Sequence, residues 1–141
     1  MARRRSHAIV DGYTRTWPRR VFDIKEQGRL ADDVREALRE PGVYVLYRDD
    51  HPYYVGKTSR PLFNRIWAHA NRPQDRYSNF WNFFSAFAIA TKKHRDEVEG
   101  ILIAAMPTTA NSSNPRFHRI KLPNRVGRLL RKDRELDSER S

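Results

Sequence analysis

Apolar positions along this chain switch between a helical and a strand period, and each switch falls at a proline or a polar turn. Between Glu26 and Arg39, Leu30, Val34, Ala37 and Leu38 recur at helical spacing and predict one buried stripe, which Pro41 ends. The period then shortens. Val43-Tyr44-Val45-Leu46-Tyr47 and Tyr53-Tyr54-Val55 are β-branched and aromatic runs on either side of Asp49-Asp50-His51-Pro52, which predicts two antiparallel strands joined by a polar turn. Pairing brings Tyr44 and Tyr54 within reach of each other, and alternation turns Tyr47 and Tyr53 elsewhere to pack.

A helical period returns with Leu62, Ile66 and Ala70, in a helix expected to open near Thr58 or Ser59 as its cap with Pro61 in its first turn. Arg65 and His69 lie four apart and are expected on one face, away from Leu62 and Ile66. After a polar loop from Asn71 to Asp75, the run Phe80 to Ala90 starts as a turn or short helix. It ends as a third strand, with Phe87 and Ile89 alternating with alanines. The aromatic group of Trp67, Phe80, Trp81, Phe83 and Phe84 reads as core rather than as a platform for stacked bases. From His94 to Met106 the pattern is helical again, with Val98, Ile101, Leu102 and Ala105 on one face and Glu97 and Glu99 interrupting it, until Pro107. A loop of small polar residues runs from Thr108 to Pro115. A short basic helix is expected around Val126, Leu129 and Leu130, with Asp133 to Ser141 frayed.

These elements predict an α/β (α+β) fold, a small three-stranded antiparallel sheet flanked by helices. At 141 residues the chain is expected to be a single domain. Within it we distinguish a basic arm and helix over 1–40, a core over 41–117 and a basic segment over 118–141.

Charge narrows the function. Lys and Arg number 28 against 17 Asp and Glu, a net charge of +11. Such a field attracts polyanions, so nucleic acid is the leading partner. Arg3, Arg4, Arg5, Arg15, Arg19 and Arg20 surround Tyr13 and Trp17 in the arm, where they either touch nucleic acid or form a solvated tail. No long apolar run suggests a membrane span. Cysteine is absent, which excludes disulfides, thiolate nucleophiles and cysteine zinc sites. The basic start, Met1-Ala2-Arg3-Arg4-Arg5, is not followed by the apolar stretch of a signal peptide, and a cytoplasmic location is expected.

Gly42-Val43-Tyr44 followed closely by Tyr54-Val55-Gly56 resembles the signature of the GIY-YIG nuclease family, with Val in place of both central Ile residues. The resemblance continues through Arg65 on the following helix and Glu99-Gly100-Ile101-Leu102-Ile103, and so runs from Gly42 to about Asn114. The Arg65 to His69 spacing is similar to the restriction-enzyme branch. The resemblance implies a metal-dependent endonuclease acting on DNA. Its catalytic residues would be Tyr44, Tyr54, Arg65, His69 and Glu99, with Gly42, Gly56, Lys57 and Asn111 in support, and Glu99 rather than Glu97 would hold the metal. It also implies an Asn after the Glu helix, a place for which Asn111 and Asn114 compete. Magnesium is the expected ion, with manganese as its alternative.

The chemistry of the side chains is consistent with that assignment. Cleaving a phosphodiester needs a base for water, a cation for the phosphate and usually a metal on oxygen ligands. Tyr44 can serve as the base if nearby positive charge, from Lys57, Arg65 or the metal, depresses its ordinary pKa of about 10. Arg65 has a planar fork suited to two phosphate oxygens. A single carboxylate, Glu99, suffices for magnesium, which keeps waters and phosphate oxygens in its shell.

Each residue also has an ordinary structural reading. Tyr44 and Tyr54 can pack a sheet, Lys57 can be a solvated charge, His69 can cap its helix, and Glu99 can pair with Arg65. Asn111 and Asn114 can be loop residues bonded to backbone. A binding module of the same fold that does not cut, or an RNA-cleaving nuclease, shares the same features. Cutting both strands of a duplex would call for a homodimer or a partner protein.

Overall fold

The computed structural model describes residues 8–24, 29–72, 80–106, 111 and 117–140. Its centre is an antiparallel sheet of four strands: β1 (Gly12–Pro18), β2 (Gly42–Arg48), β3 (His51–Thr58) and β4 (Phe83–Ala88), in the spatial order β1-β4-β2-β3. The helices are α1 (Arg29–Ala37), α2 (Leu62–Asn71), α3 (Lys92–Ala105) and α4 (Asn124–Arg140), and a 3-10 turn covers Arg19–Phe22. No helix among the described residues is long and apolar enough to cross a membrane.

The fold class agrees with the sequence reading, but the sheet has four strands rather than three. The added strand is β1, drawn from the segment read as a basic arm. It was hidden because its partner β4 is distant in sequence and its pairing is irregular between Thr14 and Trp17. Side chains mend that irregularity: Thr16 N donates to Ser85 Oγ at 2.9 Å and Ala86 N to Thr14 Oγ1 at 3.0 Å. Thr16 takes a positive φ of 46° there, the local kink that an irregular ladder imposes.

Strand alternation divides the core in two. Tyr44 and Leu46 on β2, with Phe84 and Ala86 on β4, face α1, α2 and the 3-10 turn, where Phe22, Val34, Leu38, Leu62, Phe63, Ile66 and Trp81 complete one apolar cluster. Val43, Val45 and Val55 face the other way, onto Val98, Leu102, Ile103 and Met106 around α3. Fully buried side chains such as Leu46 and Ile66 each contribute about 1.5–3 kcal/mol relative to exposure.

The structure revises several expected boundaries. Helix α2 begins at Leu62 with Pro61 at its N-cap and no side-chain cap, while Thr58 Oγ1 bonds the backbone of Arg60 instead. A side-chain cap is unnecessary because Leu62 N donates to Glu40 O at 2.8 Å and Phe63 N to Leu38 O at 2.9 Å, so the chain leaving α1 satisfies the open end of α2. In α3 the buried face is Val98 and Leu102, whereas Ile101 is 57% exposed and Ala105 is also exposed. Trp81 and Phe84 are core, as read, but Trp67 and Phe80 are exposed. Helix α4 continues through Asp133 to Arg140, where fraying was expected. Of the loops expected from Asn71 to Asp75 and from Thr108 to Pro115, Asn71 instead closes α2 and Arg72 and Asn111 are described, while residues 73–75, 108–110 and 112–115, Asn114 among them, lie outside the described residues.

Candidate active site

The β2–β3 hairpin sets the geometry. Its register places Tyr44 opposite Gly56 and Leu46 opposite Tyr54, so both tyrosines lie on the sheet face covered by α2, their ring centroids 6.1 Å apart. Gly56 makes room for the phenol. A Cβ at this position would lie 2.4 Å from both the Tyr44 hydroxyl oxygen and the ring carbon that bears it. Gly42 is required for a different reason: a Cβ there would meet the Phe87 carbonyl oxygen at 1.8 Å, so the strands β2 and β4 could not approach.

Helix α2 closes this pocket. His69 follows Leu62 and Ile66 at helical spacing and is buried with them, at 1% exposure. The sequence reading had placed His69 with Arg65 on the opposite face. Arg65 is indeed exposed, but His69 turns inward, and its Nε2 lies 2.8 Å from the Tyr44 hydroxyl. The His69 ring is 5.5 Å from that of Tyr44 and 5.6 Å from that of Tyr54, which makes a closed cluster of three rings. The Arg65 guanidinium acts on the same phenol by charge and by hydrogen bond.

Burial raises the Tyr44 pKa well above the ordinary tyrosine value, Tyr54 adds to the rise, and Arg65 opposes it. The expectation of a depressed phenol is therefore not met by the protein's own groups, because desolvation outweighs the single guanidinium. At neutral pH Tyr44 is a phenol whose hydroxyl faces an imidazole nitrogen.

Glu99 and Lys57 stand on the other face of β3. Lys57 follows Gly56 in the strand, so its side chain leaves on the α3 side. Its Nζ lies 3.4 Å from Glu99 Oε1 and 2.9 Å from Asp96 Oδ1. Asp96 also takes Lys92 at 3.0 Å. These ammonium groups pull the Asp96 carboxyl down to about 2, through hydrogen bonds from Lys57 and then Lys92, and the Asp96 hydrogen bond in turn raises Lys57. The partner of Glu99 is thus Lys57, a pairing the sequence reading did not weigh. Asp96 was missed as well, although it precedes Glu99 by one helical turn and so shares its face.

The candidates therefore form two groups, Tyr44, Tyr54, His69 and Arg65 on one face and Lys57, Glu99 and Asp96 on the other. Gly56, which underlies the first group, and Lys57, which belongs to the second, are consecutive residues of β3, an edge of the four-stranded sheet. Asn111 serves that edge. Its Oδ1 accepts from Val55 N at 3.0 Å and its Nδ2 donates to Val55 O at 2.8 Å, so one side-chain amide replaces the ladder of a missing strand. Arg19 likewise has a structural task, donating to Ala70 O at 2.7 Å in the last turn of α2 and lying 5.2 Å from the Trp81 ring.

Among the described residues no three His, Cys, Asp or Glu side chains gather as a metal cluster. A metal here would have few protein ligands, and the part-exposed carboxylate of Glu99, a hard oxygen donor, fits magnesium in that respect.

No family model matches the chain, and no curated protein matches it. Among solved structures it is similar to the GIY-YIG N-terminal endonuclease domain of UvrC from Thermotoga maritima. One is a point mutant bound to its catalytic divalent cation, with 21% identity and a TM-score of 0.47, covering 58% of this chain and 98% of that one. Another is that domain bound to magnesium, with 22% identity and a TM-score of 0.46, covering 57% of this chain and 97% of that one.

Proposed function

We propose that this protein is a metal-dependent endonuclease of the GIY-YIG type that hydrolyses phosphodiester bonds in DNA. The observation that carries the reading is the Tyr44 hydroxyl held 2.8 Å from His69 Nε2 in a buried pocket floored by Gly56. A buried phenol needs a hydrogen-bond partner in any case, but here the partner is an imidazole that can take its proton, beside the exposed Arg65.

The raised pKa of Tyr44 decides the form of the proton transfer. A standing phenolate is not available, so Tyr44 takes the proton of an attacking water as it passes its own to His69 Nε2, with the imidazole protonated on Nδ1 beforehand. Tyr54 packs against both rings and fixes their orientation. Arg65, exposed on α2 beside the phenol, clamps the scissile phosphate and offsets its growing charge. Lys57 holds the Glu99 carboxylate in place. Glu99 would hold the magnesium ion, which supplies charge neutralisation at the phosphate and the leaving oxygen when bound. The net charge of +11 supports a polyanionic substrate.

The test is incubation with supercoiled plasmid, branched DNA and structured RNA, with magnesium or EDTA, beside Tyr44→Phe and Glu99→Gln. Magnesium-dependent cleavage of DNA, reduced about 10²-fold or more in both variants, is expected. Salt-sensitive binding without cleavage of any substrate would instead make the protein a binding module, and cleavage confined to RNA would change the substrate.

A further inference from the structure

Helix α4 (Asn124–Arg140) carries an apolar stripe that nothing among the described residues covers. Val126, Leu129, Leu130 and Leu136 are 40%, 52%, 51% and 46% exposed, and at helical spacing they fall on one face. Asp133 interrupts that stripe. Charge along the helix is also uneven: from His118 to Lys132 there are six Lys or Arg and no acid, whereas all four acids of the helix, Asp133, Glu135, Asp137 and Glu139, fall in its second half, beside Arg134 and Arg140.

That order opposes the helix dipole. Acids are favoured at a helix N-terminus and bases at its C-terminus, and α4 has no acid in its first turn. Helices in proteins draw most of their stability from packing an apolar face, so α4 needs a contribution from whatever covers its stripe. We propose that α4 is the dimer interface of this protein, and that it pairs with α4 of a second copy in an antiparallel sense.

Charge complementarity selects both the partner and the direction. An antiparallel copy lays its acid-bearing half along the basic half of the first. Val126 then faces Leu136 of the second copy, and Asp133 faces Leu129 with Arg125 and Lys132 close by. A parallel pair would set Asp133 against Asp133 and the basic half against the basic half, which is repulsive. The contact is a single helix pair, and much of its specificity is electrostatic. Association should therefore be concentration-dependent and weaken with salt. This proposal does not depend on the nuclease reading.

Because the chain has no cysteine, single introduced thiols report the geometry without background. Sedimentation equilibrium of the full-length protein at low salt should give a dimer mass. Leu129→Ser combined with Leu136→Ser should weaken association at least tenfold without changing the thermal unfolding of the core. Under oxidation, a mixture of Val126→Cys and Leu136→Cys proteins should yield the crosslinked heterodimer, while Leu136→Cys alone should not crosslink. A monomer at all concentrations, a dimer unaffected by the double substitution, or efficient self-crosslinking of Leu136→Cys would each overturn the proposal. A monomer whose affinity for duplex DNA falls on substitution of α4 would assign the helix to nucleic acid instead.

Discussion

Gly56 is the floor on which the Tyr44 ring lies, with space for a hydrogen but not for a methyl group, since a Cβ would stand 2.4 Å from the phenol oxygen. Replacing it with Ala must therefore move the ring or the strand. Gly56→Ala is expected to lose cleavage about as completely as Tyr44→Phe, with a stability loss of about 1–3 kcal/mol from overpacking. Activity assays paired with denaturant titration check this; an alanine variant of full activity would show that the phenol does not need its observed position.

The burial of Tyr44 also has a signature at alkaline pH. Its folded pKa is raised, so the native state holds the phenol proton more tightly than the unfolded chain does. That stability is fully present below the unfolded value of about 10 and is lost as pH rises through the folded value. The wild-type protein should lose stability steeply above about pH 10, and Tyr44→Phe should flatten that slope. Urea titrations at several alkaline pH values measure the difference, and identical slopes would contradict a buried phenol.

Asp96 behaves in the opposite sense. Its carboxyl titrates at about 2 because Lys57 and Lys92 hydrogen-bond to the charged form. The associated stability is present above the unfolded carboxyl pKa of about 3.9 and disappears as pH falls through the folded one. In Lys57→Met the carboxyl resonance of Asp96 should titrate at a higher pH, still below the free value because Lys92 remains. An unchanged titration by NMR would mean that Lys57 does not hold Asp96 in solution.

Asn111→Ala removes both hydrogen bonds to Val55 at once. The expected loss is about 1–3 kcal/mol, since each bond contributes about 0.5–1.5 kcal/mol. Hydrogen exchange should accelerate at the Val55 amide more than at the amides of β2. Uniform acceleration across the sheet would point to global destabilisation rather than an opened edge.

The hairpin and its two tyrosines were legible in the sequence because strand period, turn residues and local pairing agree within a short span. Helix α2 was legible in extent, but its faces were not: reading Arg65 and His69 as a polar pair overlooked that residue 69 continues the stripe of Leu62 and Ile66. A histidine can be buried when a phenol meets its nitrogen, and that partner lies on another element. Strand β1 was missed for the same kind of reason, since its middle residues Thr14-Arg15-Thr16 put polar side chains on both faces and its partner β4 is distant in sequence. The pairing of Lys57 with Asp96 and Glu99 likewise depends on how α3 crosses β3, which no local pattern encodes.

Strand β1 has one more consequence, for the order of events during folding. The β2–β3 hairpin closes over a turn of two residues, whereas Thr16 reaches Ser85 across a separation of 69 residues. Loop-closure entropy favours the near pairing first. On the ribosome β1 emerges before the other described strands, yet its partner in the described sheet is β4, the latest of the four. The earliest of the four described strands is thus the one that must wait longest for its neighbour, and the hairpin bearing Tyr44 and Tyr54 can assemble without it.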